Sequence, residues 1–341
     1  MRVGLLTGGG DVPGLNAVIR AVVKRGVGQY GHTIVGFRNG WKGLADGDVA
    51  TLTRNDIRNV LPVGGTLLGT ARYHPHRSEG GIDAVLTTLE AERIDALICV
   101  GGDGTLHAAS KVAEHGVRIV AVPKTIDNDV WGTDASIGFD TAVTIATEAV
   151  DRVHTTAESH NRVMIVEVMG RDAGWIATAA GIAGGAELVL VPEAPFDIDK
   201  AVRFLRHRHR AHASFSIIVV AEGAVPAEGT AMSYETQVGR FGEIVAGAIG
   251  ERLKAELEHR TGFDTRVTVL GHIQRGGTPT PADRILGSRF GVAAMDAVSA
   301  GKGSVMTALR GDAVELVSLD EIAGKVRRVP ADLLEVARAL A

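Results

Sequence analysis

The stretch IDALICVGGDGTLHAA, Ile94 to Ala109, sets the reading of the whole chain. It opens on a continuous apolar run without alternation, which is the pattern of a strand buried on both faces. Gly101, Gly102 and Gly104 follow, and then a helical pattern that Thr105 is placed to cap. Strand, glycine loop and helix together form the unit from which open parallel sheets are wound. Such sheets take their ligands outside the carboxyl ends of the strands. The three glycines leave backbone amides open to phosphate oxygens. Asp103 in the same turn would repel phosphates unless it holds Mg2+, which takes one or two carboxylates together with phosphate oxygens and water. A capped turn accounts for Thr105 but not for the Gly-Gly-Asp-Gly run.

The unit repeats along the chain. Apolar, β-branched runs predict strands at Arg2–Thr7, Thr33–Phe37, Ile94–Val100, Arg118–Val122, Val163–Val168, Leu188–Val191, Phe215–Ala221 and Arg266–Leu270. Between them GLNAVIRAVVKRG puts Leu15, Val18, Ile19, Val22 and Val23 on one stripe, and DTAVTIATEAVDRV does the same with Val143, Ile145, Ala146, Ala149, Val150 and Val153. The predicted class is α/β, with two similar doubly wound, Rossmann-like α/β/α domains. The motifs fall into two sets, before about residue 140 and after about 160.

Composition bounds the function. At 341 residues, 45% hydrophobic and 22% charged, the chain suits a globular protein of two domains. A net charge of −4 argues against a nucleic-acid footprint. The basic cluster RHRHR, Arg206 to Arg210, reads as the solvated end of a helix. His207, His209 and His212 bring no carboxylate or cysteine with them, so a metal site there carries little weight. The one cysteine, Cys99, reads as a buried structural thiol. The N-terminal apolar run soon meets Asp11, unlike a signal peptide, and no run of 18 apolar residues occurs. The expected setting is the cytoplasm, with no membrane partner.

Two further segments carry chemistry. LLTGGGDVPGLNAVIR, Leu5 to Arg20, again runs from strand through Gly8-Gly9-Gly10-Asp11 into a helix, a site for anions or a tight turn. It is neither GxGxxG nor a Walker loop, and no GK[ST] occurs in the chain. VPKTIDNDVWGTD, Val122 to Asp134, sets Asp127, Asp129 and Asp134 close to Lys124 at the end of a strand. One carboxylate there can take a proton from an attacking hydroxyl while another organises Mg2+, and Lys124 can neutralise a transferred phosphoryl group. Solvated acids in an Asx turn are the plainer alternative. Arg162, Met169-Gly170-Arg171, Glu222, Arg266, His272 and Arg275 suit an anionic sugar phosphate, because arginine pairs bidentately with phosphate and glutamate suits sugar hydroxyls.

The segments TGGGDVPGLNAVIR, GGDGT, PKTIDND, TAESHNR, VEVMGRDAGW, VVAEG and VLGHIQRGGTPT run in one order over nearly the whole chain. In this the sequence resembles the 6-phosphofructokinases of bacterial type, close to their actinobacterial members. GGDGT is shared with NAD kinases and lipid kinases, whereas PKTIDND followed by MGR and GHIQRGG is far more specific. The resemblance implies the fold of that family, with a nucleotide-binding domain at 1–138 plus about 274–325 and a sugar-phosphate domain at 139–273 plus about 326–341. It implies transfer of the γ-phosphoryl group of ATP to the 1-hydroxyl of fructose 6-phosphate. Asp127, beside Thr125 and Ile126, would be the general base, with Lys124 and Arg171 also in the reaction. Asp103 would bind Mg2+ and Asp129 would support it. Gly10, Arg72, Tyr73, Gly102, Asp103, Gly104 and Thr105 would contact ATP. Thr125, Ile126, Met169, Gly170, Arg171, Glu222, His272, Ile273, Gln274 and Arg275 would hold the sugar phosphate. Arg162 and Arg266 would reach in from a neighbouring subunit, which implies a homotetramer, or a dimer, with shared sites.

Three departures from the family pattern stand out. Gly104 matches ATP-using members, where pyrophosphate users carry Asp against the α-phosphate, yet Lys124 matches pyrophosphate users. Asp172 stands beside Arg171 where relatives have His or an aromatic, and would lower the local positive potential or else point away. Arg20, Lys24 and Glu187 match the family's effector pocket, but His154 replaces an arginine and Ala211 to Ser214 replaces a lysine-rich turn. Rival readings are a pyrophosphate-dependent enzyme, a kinase for another phosphorylated sugar such as sedoheptulose 7-phosphate or tagatose phosphate, an inactive nucleotide-sensing subunit, and an NAD-kinase-like enzyme. Intact Asp103, Asp127, Arg162, Arg171 and Arg275 oppose the inactive reading.

Overall fold

The computed structural model describes residues 1–211, 213–230, 232, 245–322 and 324–340. In chain order the elements are β1 (Arg2–Thr7), α1 (Leu15–Gln29), β2 (Thr33–Phe37), α2 (Gly40–Asp46), β3 (Val49–Leu52), α3 (Gly81–Ala91), β4 (Ala96–Gly101), α4 (Asp103–Ala113), β5 (Ile119–Pro123) and α5 (Phe139–His160). There follow β6 (Val163–Val168), α6 (Trp175–Ala183), β7 (Leu188–Leu190), α7 (Ile198–Arg210), β8 (Ser216–Ala221), α8 (Ala248–Thr261), β9 (Thr265–Val269), α9 (Pro281–Ser299), β10 (Val305–Arg310), β11 (Ala313–Ser318), α10 (Leu319–Ile322) and α11 (Ala331–Ala339). The chain divides into two compact units, Met1–Thr141 with Arg275–Arg327, and Ala142–Gln274 with Arg328–Ala341.

The first unit is built on a seven-stranded sheet in the order β11-β10-β5-β4-β1-β2-β3. Its centre is parallel, with β1 between β2 and β4 and β5 beyond β4. Its two edge pairs, β2 with β3 and β10 with β11, are antiparallel. Every residue of β4 is buried, which is why its sequence shows no alternation. The expected strands are all present, whereas the three at the sheet's rims, β3, β10 and β11, are additions to the sequence reading. On one face the predicted stripe of α1 is buried: Leu15, Val18, Ile19, Val22 and Val23 are at most 1% exposed. This helix lies close against α9. A Cβ on Gly291 would sit 2.7 Å from the Ala21 Cβ and 2.8 Å from the Val18 carbonyl, so no larger residue fits that approach.

The second unit has four parallel strands in the order β7-β8-β6-β9. The central β6 and β8 are buried throughout, and the rim strand β9 is partly exposed. Its core joins Ile165, Ile218 and Val220 to Leu205 of α7 and Leu253 and Leu257 of α8. In α5 the buried apolar positions are Ala142, Ala146, Val150 and Ala157, and the predicted Val143, Ile145, Ala149 and Val153 are half-buried. Glu167, only 2% exposed, accepts the Gly247 N–H and, at 2.8 Å, the Gly250 N–H. It thereby satisfies orphan donors at the start of α8, and burial raises its pKa. Cys99 is a free, buried thiol, as read from the sequence. Among the described residues no helix is long and apolar enough to cross a membrane.

Candidate active site

In the first unit the adjacent strands β1, β4 and β5 end side by side, and each end leads into a motif singled out above. Backbone bonds stitch them: Gly8 N–H donates to the Val100 carbonyl at 2.9 Å and Lys124 N–H to the Gly101 carbonyl at 2.9 Å. Thr105, 4% exposed, fills the space that Gly8 and Gly101 leave, for a Cβ on Gly8 would lie 2.5 Å from its Oγ1. The reading of Thr105 as a helix cap is therefore corrected. The residue capping α4 is Gly102, which has no side chain to offer, and Thr105 sits one turn further in as packing between two loops.

Lys124 is the centre of this strand end. It is 2% exposed, and its Nζ donates to the Gly10 carbonyl at 2.5 Å. The neighbouring Gly9 carbonyl accepts from Thr70 Oγ1 at 2.5 Å, so the triple-glycine loop is held through its oxygens. The guanidinium of Arg275 lies against Gly10, where a Cβ would come within 2.5 Å of its Nη1. Burial, with Arg275 as the next cause, drops the Lys124 pKa to about 7, and Asp11, Asp127 and Asp129 hold it from falling further. Arg275 and three carboxylates thus bear on Lys124 at the carboxyl edge of the sheet. Asp11 is a member of this cluster that the motif reading does not assign. Its place after three glycines at a strand end was the available signal.

The loop carrying the acids is tightly built. Asn128 takes the left-handed backbone (φ 52°), and its Oδ1 accepts the Ser136 N–H at 2.9 Å. Ser136 Oγ donates to the Thr125 carbonyl at 2.7 Å, and the Asp127 N–H donates to Thr125 Oγ1 at 3.1 Å. Arg327 ties down the far side, its N–H on the Asp129 carbonyl at 2.8 Å and its Nη1 on the Asn128 carbonyl at 3.2 Å. Ile126 is fully buried beneath the loop, and Asp127 has a solvent-shielded Oδ1. Asp134 does not belong with these acids. It is exposed, and its Oδ2 accepts the Gly311 N–H at 2.7 Å, bracing the β10–β11 turn. Asp103 is exposed at the first residue of α4, Arg72 is exposed, and Tyr73 is half-buried with the Lys42 Nζ 5.7 Å from its ring. Among the described residues no three His, Cys, Asp or Glu side chains converge as a metal cage.

The second unit divides the remaining candidates between the two ends of its sheet. Met169, Gly170 and Arg171 follow the carboxyl end of β6, Glu222 follows β8, and His272 lies in the turn after β9. The Glu222 N–H donates to the Val168 carbonyl at 2.9 Å and the Gly223 N–H to the Gly170 carbonyl at 3.0 Å, which draws Arg171 and Glu222 onto one edge. Gly223 is needed because a Cβ there would strike the Arg171 carbonyl. Asp172 does not point away: its Oδ2 accepts from Arg171 Nε at 2.9 Å. His272 and Ile273 are exposed, whereas Gln274 is fully buried and donates to the Gly271 carbonyl of its own turn at 3.1 Å.

Arg162 and Arg266 stand at the opposite end of the sheet, beside the amino ends of β6 and β9. Arg162 Nε donates to Asp264 Oδ2 at 2.5 Å, and Arg266 pairs with Asp264 and, at 3.7 Å, with Glu258. Six residues of β6 at roughly 3.3 Å each put them on the order of 20 Å from Arg171. Glu187 accepts from Arg208 Nη2 at 2.6 Å and from the Ile217 N–H at 2.6 Å, so α7's basic end already engages it. His209 stacks on Phe263, and His154 meets Phe215 edge-on. His212 lies outside the described residues.

Comparison with known proteins agrees with this geometry. The family model described as Phosphofructokinase matches residues 2–298. The chain is 50% identical over 341 residues to an ATP-dependent 6-phosphofructokinase of Corynebacterium efficiens, covering all of this chain and 99% of the relative. It is 53% identical over 332 residues to an ATP-dependent 6-phosphofructokinase of Mycobacterium tuberculosis (97% and 96% covered). It is also 50% identical over 337 residues to a pyrophosphate–fructose 6-phosphate 1-phosphotransferase of Amycolatopsis methanolica (99% and 98%). Among solved structures, Pichia pastoris phosphofructokinase in the T-state matches with a TM-score of 0.84 at 32% identity, over 99% of this chain and 36% of that longer one.

Proposed function

The chain belongs to the phosphofructokinase family, and on that premise we propose that it is an ATP-dependent 6-phosphofructokinase acting in cytoplasmic glycolysis. It moves the γ-phosphoryl group of ATP to the 1-hydroxyl of fructose 6-phosphate, giving fructose 1,6-bisphosphate and ADP. The observation that carries the phosphoryl-transfer reading is Lys124, a buried amine held on the Gly10 carbonyl with Arg275, Asp127 and Asp129 around it, while Gly104 favours ATP as the donor. Phosphoryl transfer asks for positioning, neutralised charge and a base, and this strand end supplies all three.

The 1-oxygen forms its bond to the γ-phosphorus as its proton passes to the Asp127 carboxylate. The bond from that phosphorus to the bridging oxygen breaks, and the electron pair leaves with ADP. Lys124 and Arg275 offset the negative charge on the group in transit, while the glycine loops let backbone amides approach the phosphates. Gly10, Arg72, Tyr73, Gly102, Asp103, Gly104 and Thr105 serve the nucleotide in the first unit. Met169 to Arg171, Glu222, His272, Ile273 and Gln274 serve the sugar phosphate in the second unit. Asp103 and Asp129 suit Mg2+, whose sites use one or two carboxylates with phosphate and water rather than a protein cage. That ion would neutralise the donor's phosphate oxygens.

Arg162 and Arg266 are too far along the sheet from Arg171 to join it on the same unit. Their distance supports a homotetramer, or a dimer, in which they complete a neighbouring copy's site. Light scattering, and complementation between an Arg162→Ser chain and an Asp127→Ser chain, test this. Mixed oligomers are expected to regain activity that neither parent has.

A second reading, pyrophosphate as donor, is favoured by Lys124 and by the relatives named for that activity. Initial rates with fructose 6-phosphate and Mg2+, comparing ATP with pyrophosphate at equal concentration, separate the two. ATP alone supports the proposal and pyrophosphate alone overturns its donor. Inactivity with both, and turnover of another sugar phosphate such as sedoheptulose 7-phosphate, overturns its acceptor and directs attention to Asp172.

A further inference from the structure

Gly104 lies in the first turn of α4, and its backbone does not take the left-handed conformation that demands glycine. Glycine weakens a helix relative to alanine, so its presence there calls for a reason of space. The space is taken by a side chain of this protein. A Cβ on residue 104 would sit 2.8 Å from the Cε1 of His74. His74 belongs to the segment Arg72-Tyr73-His74-Pro75-His76-Arg77, and its ring is held from behind. The His76 ring lies 5.8 Å from it, and His76 in turn meets the His107 ring of α4 at 4.8 Å, both edge-on. The His74 Nδ1 and both His76 ring nitrogens are shielded from solvent and have no hydrogen-bond partner within the protein. Buried polar atoms of this kind normally have partners. Arg77 bears on both His74 and His76, and Lys111 bears on His76, while Asp103 and the Gly104 backbone act on His74 in the opposite sense.

We propose that His74 is a specificity-determining residue for the phosphoryl donor, its imidazole seated against Gly104 so as to take an oxygen of the far phosphates of a nucleoside triphosphate. This rests on the phosphotransfer reading above. The donor surface then has two ends. Lys124 and Gly10 form one, at the group being transferred, and Gly102 backs onto the Lys124 carbonyl between them, a Cβ there lying 3.1 Å away. Gly104 with His74 forms the other. A triphosphate reaches both ends, whereas pyrophosphate engages the Lys124 end alone. Choice of donor is thus set by a pair of residues, Gly104 and His74, rather than by a single glycine. An added side chain at 104 would act first by displacing the imidazole.

A double-mutant cycle tests this coupling. Wild type, Gly104→Ala, His74→Ala and the double variant are compared by KM for ATP, KM for fructose 6-phosphate and kcat. Each single change is expected to raise KM for ATP by about fivefold, the scale of one hydrogen bond, with the other two constants within about twofold. The double variant is expected to be no worse than His74→Ala, because alanine at 104 then has no ring to displace. His74→Asn, which keeps a side-chain donor, should recover most of the loss and guards against a folding defect. In His74→Ala any pyrophosphate-supported rate should be unchanged. Multiplying effects in the double variant, an unaffected KM in Gly104→Ala, or an equal rise in KM for fructose 6-phosphate would each overturn the inference. If the wild type transfers no phosphoryl group from ATP, the functional reading fails. Calorimetric ATP affinities of the same four proteins then decide the His74 contact by the same pattern.

Discussion

The two strand ends proposed to meet the two substrates are prepared in opposite ways. In the first unit opposite charges crowd around a buried lysine, and the fold itself keeps them there: Lys124 is held by Gly10, and the acid loop by Ser136 and Arg327. In the second unit the arginines are exposed or half-exposed, and each is engaged by a nearby carboxylate of its own unit. Arg171 has Asp172, Arg162 has Asp264, and Arg266 has Asp264 and Glu258. The first region is preorganised for charge to move through it, at the cost of burying an amine whose pKa falls to about 7. At the second strand end the Arg171–Asp172 pair is exchangeable, so an incoming phosphate competes with a carboxylate already in place, and Arg162 and Arg266 repeat the arrangement at the opposite end of that sheet. Chemistry calls for the former and reversible binding for the latter.

The sharpest way to break this contrast is Asp127→Ser. It is expected to lower kcat by about 10²–10⁴-fold while leaving fructose 6-phosphate affinity within a few-fold, read by steady-state rates and direct binding. Substantial surviving turnover would remove the base from the first region. Next in size is a pH effect. Lys124 loses its proton as pH rises through about 7, so kcat/KM for ATP should decline above that point, by roughly tenfold per pH unit on the far limb if the ammonium is required. Lys124→Met should flatten that limb. The same shift has a stability signature of defined sign. The unfolded chain keeps this proton up to about 10.5, so between about 7 and 10 it binds more protons than the folded one, and folding becomes more favourable with rising pH. Thermal melts of Lys124→Met should lack that rise. The smallest effect belongs to the second region. Asp172→Asn should lower KM for fructose 6-phosphate by about two- to fivefold, an effect that shrinks as salt is added, because the Arg171–Asp172 pair is half exposed. An unchanged KM would mean that the pair does not compete with substrate.

How far the sequence reached depended on burial. The central strands were legible because β4, β6 and β8 are buried on both faces and so read as unbroken apolar runs. β3 and β11, half-exposed strands of four and six residues, carry Thr, Ser and Glu among their apolar positions and gave no such run. The grouping of Lys124 with Asp127 and Asp129 was legible because six contiguous residues suffice to bring them near. Asp134 misled for the same reason, since five residues more of chain carried it to the β10–β11 turn. Arg208 on Glu187 and His74 against Gly104 were beyond reach, as each depends on a register between segments that only the folded unit supplies.

The route of the chain through the first unit bears on how the protein is made. Thr307 Oγ1 donates to the Ala121 carbonyl at 3.5 Å across 186 residues of chain, because β10, the partner of β5, is encoded near the far end. During synthesis the N-terminus emerges first. β5 is therefore extruded with one edge bare and waits for the ribosome to read through Ala142–Gln274, the larger part of the second unit, before its neighbour arrives. Arg275 and α9 come on the same late segment. The second unit's four strands all lie between Val163 and Val269 and can pair without that delay. The charge cluster around Lys124 thus waits for Arg275, so the proposed reaction centre stays unassembled until residues 142–274 have been made.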